Sequence, residues 1–109
     1  MLPGRRRDSP IVVAGHEDAW FQGAIDDASG VAATLGLAKA LVDSGYAPEG
    51  LMVFGVHCVE EYGIQDSAFD WCIGSWWQVR HEHAAWGSRA ALYFNIEGTG
   101  MHVPLLVEI

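Results

Sequence analysis

Three short apolar runs punctuate the chain: Ile-Val-Val-Ala at 11–14, Leu-Met-Val-Phe-Gly-Val-His at 51–57, and Ala-Ala-Leu-Tyr-Phe-Asn-Ile at 90–96. None alternates between apolar and polar positions, a pattern that predicts strands buried on both faces. Between the first two runs, Val31, Leu35, Ala38 and Leu41 recur at helical spacing, with Leu37 adjoining. That predicts a helix from Ser29 to about Ser44, with Ser29 as its cap and Gly45 ending it in the left-handed conformation. A second helix is predicted from Ser67 to about Trp86, carrying Phe69, Trp71, Trp76 and Trp77, with its charges toward the end. Residues 15–27 and 58–64 read as polar loops, and residues 104–109 as the beginning of a fourth strand.

The order strand, helix, strand, helix, strand, with strands hidden on both sides, requires helices on both faces of a sheet. The expected fold is therefore α/β: a three-layer α/β/α sandwich around a mostly parallel central sheet. A length of 109 residues allows one small domain at most. Residues 1–10, with the basic run Arg5-Arg6-Arg7, read as an N-terminal extension, and residues 11–109 as the domain proper.

Charge narrows the partners. Six basic residues face 14 acidic ones, a net charge of −8, which disfavours nucleic acid because phosphate contacts need Lys and Arg. Residues 11–14 are far too short for a signal-peptide core or a membrane span. Cys58, expected in a buried strand, and Cys72, expected in a helix, form no close ligand pair and read as apolar residues.

Each predicted strand runs into a loop holding acidic residues or histidine. His16, Asp18, Asp26 and Asp27 follow the first, Glu60 and Glu61 the second, and Glu97 the third. Parallel α/β sheets place ligand sites at these carboxyl ends. One imidazole and several carboxylates gathered without basic partners repel one another unless a cation joins them. Zinc accepts His nitrogen and carboxylate oxygen, and a carboxylate between two metals can bridge them. The adjacent Glu60 and Glu61 point in different directions, so one can ligate metal while the other acts as a base on water. Taken singly, Glu60-Glu61 reads as a solvated acidic pair and His16 as a hydrogen-bonded loop histidine. Convergence at three strand ends weighs against both bland readings.

At this point the motifs resemble a known family. Gly15-His16-Glu17-Asp18-Ala19-Trp20 and Gly23-Ala24-Ile25-Asp26-Asp27-Ala28-Ser29-Gly30 look like the first metal motif of the zinc aminopeptidase and glutamate carboxypeptidase II-like family. The ten-residue step from His16 to Asp26 resembles its carboxypeptidase and transferrin-receptor branch. Val59-Glu60-Glu61-Tyr62-Gly63, followed by Ser67, is similar to the second motif, and Leu92-Tyr93-Phe94-Asn95-Ile96-Glu97 to the third. The resemblance covers residues 11 to about 100.

The resemblance implies an incomplete zinc-exopeptidase domain, residues 11–109 lacking its C-terminal part, with a peptide as substrate; the sheet edge exposed by a cut-off fourth strand suggests pairing with another copy into a homo-oligomer. The parent protein would hydrolyse peptide bonds near a chain end, using water activated by two zinc ions. His16 would bind the first zinc, Asp26 bridge both, Glu61 bind the second and Glu97 complete the first. Glu60 would be the general base. Asp18 would hydrogen-bond His16 and orient it, and Asp27 would either join the site or cap the helix. The family commonly has Asp where Glu97 stands. It also supplies a histidine to the second zinc from further along, and His57, His81, His83 and His102 do not sit in that motif. Two other classes share the fold: a single-zinc acyltransferase of the glutaminyl cyclase type, and a receptor or scaffold domain without metal. Retention of His16, Asp26, Glu60, Glu61 and Glu97 favours the two-metal peptidase.

Overall fold

A computed structural model describes residues 1–68 and 71–99 of the chain. Strand β1 spans Arg6–His16, helix α1 Ala28–Asp43 and strand β2 Gly50–His57. Helix α2, Ile73–Trp77, leads into a π-helical turn, Gln78–Glu82, then helix α3, Trp86–Arg89, and strand β3, Leu92–Asn95. The sheet order is β2-β1-β3 with both pairings parallel, so the expected parallel α/β sheet is present. The predicted fourth strand at 104–109, together with Phe69 and His102, lies outside the described residues.

Strand β1 is central because its apolar run is the one buried on both faces: Val12, Val13 and Ala14 are all buried. Its register pairs Val12 with Val53 and Tyr93, and His16 with His57. In-register partners share a face, and side chains alternate along each strand. Val12, Ala14, His16, His57 and Tyr93 therefore lie on one face, and Val13 and Gly15 on the other. Helix α1 covers the second face so closely that a Cβ on Gly15 would sit 3.2 Å from the Gly30 backbone. Gln78, after α2, reaches the first face through the Tyr93 hydroxyl. β1 also begins earlier than its apolar run. Arg6 pairs with Gly50 before an irregularity that ends at Ile11, and Leu2 bridges Met52 antiparallel.

Two expected elements differ. The cap of α1 is Asp27, whose Oδ1 accepts from the Gly30 amide at 2.9 Å; the three-residue spacing suits an N-cap carboxylate. Ser29 Oγ instead donates to the Ile25 carbonyl. Gly45, at φ +69°, follows the helix as expected. The helix foreseen from Ser67 to Trp86 is broken into short pieces. The amides of Cys72 and Ile73 are taken by the carbonyls of Glu60 and Val59, and Cys72 sits at φ +57°, so helical bonding starts only beyond Cys72. At the other end the His83 amide reaches back five residues to Gln78, which widens the helix into the π-turn. Cys58 and Cys72, read as apolar residues, are both exposed: Cys58 lies just past the end of β2, and Cys72 in the kink before α2.

Candidate metal centre

The carboxyl ends of β1, β2 and β3 meet at one edge of the domain. His16, the last residue of β1, is 1 % exposed. Its Nδ1 donates to the Asp18 backbone carbonyl at 2.9 Å. That bond turns Nε2 toward the Asp26 carboxylate, whose Oδ1 lies 3.0 Å away, and identifies Nε2 as the nitrogen free to meet a cation. Ligand atoms of His16, Asp26 and Glu61 all fall within 4.8 Å of one another. Glu97 brings Oε1 to 4.0 Å from His16 Nε2, while its Oε2 accepts from Asn95 Nδ2 at 3.0 Å. Three of the four residues expected as metal ligands thus gather mutually, and the fourth, Glu97, stands beside His16.

Electrostatics at this edge are those of crowded like charge. Burial, followed by the charges of Asp26 and Glu60, raises the Glu61 carboxyl above the usual range. Glu97 is raised in the same way, by burial and then by Glu60. Burial pulls the His16 imidazole down, but the Asp18 carbonyl and the charges of Asp27 and Glu60 outweigh it and leave it raised. A divalent cation relieves both trends, because it stabilises ionised carboxylates and competes with the imidazole proton. One imidazole with three carboxylates is a donor set that suits zinc.

Asp18 meets His16 as expected, but through its backbone carbonyl rather than its side chain. Its carboxylate is 3.7 Å from His16 Nδ1, outside hydrogen-bonding range. The two oxygens instead accept from successive amides, Glu60 at 3.0 Å and Glu61 at 2.9 Å. Burial alone would raise its pKa, yet these backbone bonds hold it below the ordinary aspartate value. Glu60 is anchored on its other side too, for Cys72 Sγ lies 3.4 Å from Glu60 Oε1.

Asp27, joined to Asp26 by a cis peptide bond, is buried at 1 % exposure. Besides capping α1, its carboxylate accepts from the His16 amide at 3.0 Å and the Gly98 amide at 3.3 Å. One side chain therefore ties the end of β1, the start of α1 and the segment after β3. The sequence offered capping as one reading of Asp27; its grip on Gly98 has no local signal. A polar cluster that the sequence did not single out lies on the His16 face. The Tyr93 hydroxyl donates to Gln78 Oε1 at 3.0 Å and meets His57 Nε2. Burial, then the neighbouring His16 charge, lowers the His57 pKa, and burial pushes the Tyr93 phenol up to about 12. His81 and His83 are exposed, as expected, and stack on Trp77 and Trp86.

Comparison with known proteins gives the family. The sequence matches peptidase family M28 over residues 1–107. It is 30% identical over 102 residues to a probable glutamate carboxypeptidase of Arabidopsis thaliana, covering 87% of this chain and 14% of that protein. It is 31% identical over 93 residues to a probable glutamate carboxypeptidase of Zea mays, covering 83% and 12%. A glutamate carboxypeptidase 2 homolog of Caenorhabditis elegans is 30% identical over 105 residues, covering 93% of this chain and 13% of its own length. The chain thus spans a small fraction of each of these relatives. No solved structure matches it.

Proposed function

The chain belongs to peptidase family M28, and from that premise we propose that the protein carrying it is a zinc-dependent exopeptidase of the glutamate carboxypeptidase type. The observation that carries the reading is the gathering of His16, Asp26 and Glu61 within 4.8 Å, with Glu97 4.0 Å from His16, at the carboxyl ends of three parallel strands. The names of the relatives support carboxypeptidase action on a C-terminal glutamate.

His16, Asp26 and Glu97 would hold one zinc, and Asp26 and Glu61 would contribute to a second. When bound, zinc supplies Lewis acidity that polarises the scissile carbonyl and makes water a better nucleophile. The protein's own groups do the rest. Asp26 and His16 face each other at hydrogen-bonding distance, so both are already oriented before any cation arrives. Glu60, adjoining Glu61 and held beside Cys72, takes the proton from the attacking water and returns it to the leaving amine.

The test is Glu60→Gln in the full-length protein. Zinc content should stay at about two per protein, and hydrolysis of peptides ending in glutamate should fall by roughly 10²–10⁴-fold, the usual contribution of a positioned base. Loss of zinc on this substitution would exchange the roles of Glu60 and Glu61. A wild-type protein with about one zinc would favour the cyclase-type acyltransferase, and one with none a scaffold.

A further inference from the structure

The Glu60–Glu61 loop is held in a conformation it would not adopt unaided. Val59, immediately before it, lies at φ +59°, a left-handed conformation that a β-branched residue avoids. Such strain persists only where surrounding contacts over-determine it. Here they do so from two sides. The carbonyls of Val59 and Glu60 accept from the amides of Ile73 and Cys72 at 3.0 and 3.1 Å. The amides of Glu60 and Glu61 both donate to Asp18. Next to this contact, Trp20 packs on Tyr62 with ring centroids 4.5 Å apart, a second link between the loop after β1 and the loop after β2.

We propose that the Asp18 carboxylate is the positioning group of the Glu60–Glu61 pair rather than of His16. By gripping two successive peptide units with its two oxygens, it sets the directions in which both glutamate side chains leave the backbone. The proposal rests on the reading of Glu60 as base and Glu61 as metal ligand. Its physical basis is the geometry of a carboxylate: two acceptors in one plane hold two successive amides at once, and charge-assisted bonds of this kind are about twice as strong as neutral ones. The task of orienting His16 belongs to the Asp18 backbone carbonyl, which no side-chain substitution removes. Asp18 thereby couples the strand end that carries His16 to the strand end that carries the base.

Asp18→Asn in the full-length protein separates the two roles. An amide side chain keeps one acceptor oxygen and turns a donor toward the other backbone N–H, so one bond is lost. The kcat for peptide hydrolysis should fall about 10–100-fold, as for other outer supports of a metal site, with a smaller change in KM. Affinity for the zinc held through His16 should stay within about twofold. Hydrogen–deuterium exchange at the Glu60 and Glu61 amides, resolved residue by residue in the zinc-free protein, should accelerate. The reverse result overturns the proposal: affinity for the His16 zinc down about 10–100-fold with exchange at Glu60 and Glu61 unchanged. If the variant does not fold, wild-type exchange decides. The amides of Glu60 and Glu61 should exchange more slowly than those of Tyr62 and Gly63, and equal rates would sink the idea. The exchange readout needs no catalysis. A protein that fails to hydrolyse peptides would therefore refute the exopeptidase reading while leaving the clamp intact.

Discussion

At the residue scale, Tyr93 illustrates how a polar group in an apolar strand is kept neutral. Its hydroxyl is half-buried beside β1, donates to Gln78 and meets His57 Nε2. A phenolate there would lose its hydration without gaining a cation, and burial accordingly pushes the pKa up to about 12. The sign of the pH effect follows. The phenol is held protonated more tightly in the folded than in the unfolded protein, so its contribution is complete below the ordinary tyrosine value near 10. It is lost as pH rises from there toward about 12. Urea denaturation of the protein at stepped alkaline pH should show stability declining over this window. Tyr93→Phe should remove that part of the decline. At neutral pH the same substitution should cost about 1–3 kcal/mol, because it leaves the buried His57 and the half-buried Gln78 without that partner. A variant that keeps the full alkaline decline would show that another group titrates there.

At the element scale, helix α1 sets local propensity against packing. Gly30, in its first turn, is buried, and on propensity alone Ala there would favour the helix by up to about 1 kcal/mol. A Cβ at this position, however, would come within 2.1 Å of the Ile96 carbonyl oxygen and 2.2 Å of Asp27 Oδ1. Both obstacles are fixed: one is backbone, the other the capping carboxylate that also binds the amides of His16 and Gly98. Gly30→Ala should therefore destabilise the protein by at least about 1–3 kcal/mol, the range for overpacking, and thermal denaturation should show a lowered Tm. An unchanged or raised Tm would mean that α1 can slide off the sheet without cost. The same contrast explains which elements were legible in the sequence. Strand β1 was, because burial on both faces leaves an uninterrupted apolar run; β2 and β3 kept apolar runs although most of their residues are only half-buried; and α1 was, because its apolar stripe has a helical period. The stretch from Ser67 to Trp86 misled, because its aromatic content reads as one helix while the amides of Cys72 and Ile73 are committed to the Glu60 loop. The four candidate ligands could be named from the sequence because each stands at a strand end or in the loop that follows it. Asp27's hold on Gly98, across 71 positions, and the Asp18 grip on Glu60 and Glu61, across 42 and 43, have no periodic trace in the sequence.

At the scale of the whole molecule, the site is only as strong as the number of nitrogen donors the fold brings to it. Among the described residues, the cluster contains one imidazole, that of His16. His57 is in register with it on the same face but is engaged with Tyr93, and His81 and His83 are exposed and stacked on tryptophans. A zinc bound by His16, Asp26 and Glu97 would have three protein ligands and an open position, the arrangement of a catalytic zinc site. A second zinc sharing Asp26 and held by Glu61 would have carboxylates alone. Burial and then the charges of Asp26 and Glu60 already raise Glu61, so the first cation removes much of the negative field that would attract the next. Calorimetric titration of the purified 109-residue chain should therefore show one tight zinc and a second at least about tenfold weaker. His16→Ala should abolish the tight event, since it removes the nitrogen ligand without touching the carboxylates. Proton release should accompany the tight event, because His16 must shed its proton to ligate, and repeating the titration in buffers of different ionisation enthalpy measures that directly. Two equally tight zincs would mean that another histidine of the chain has left its present partners for the metal, and the argument from a single available imidazole would fail.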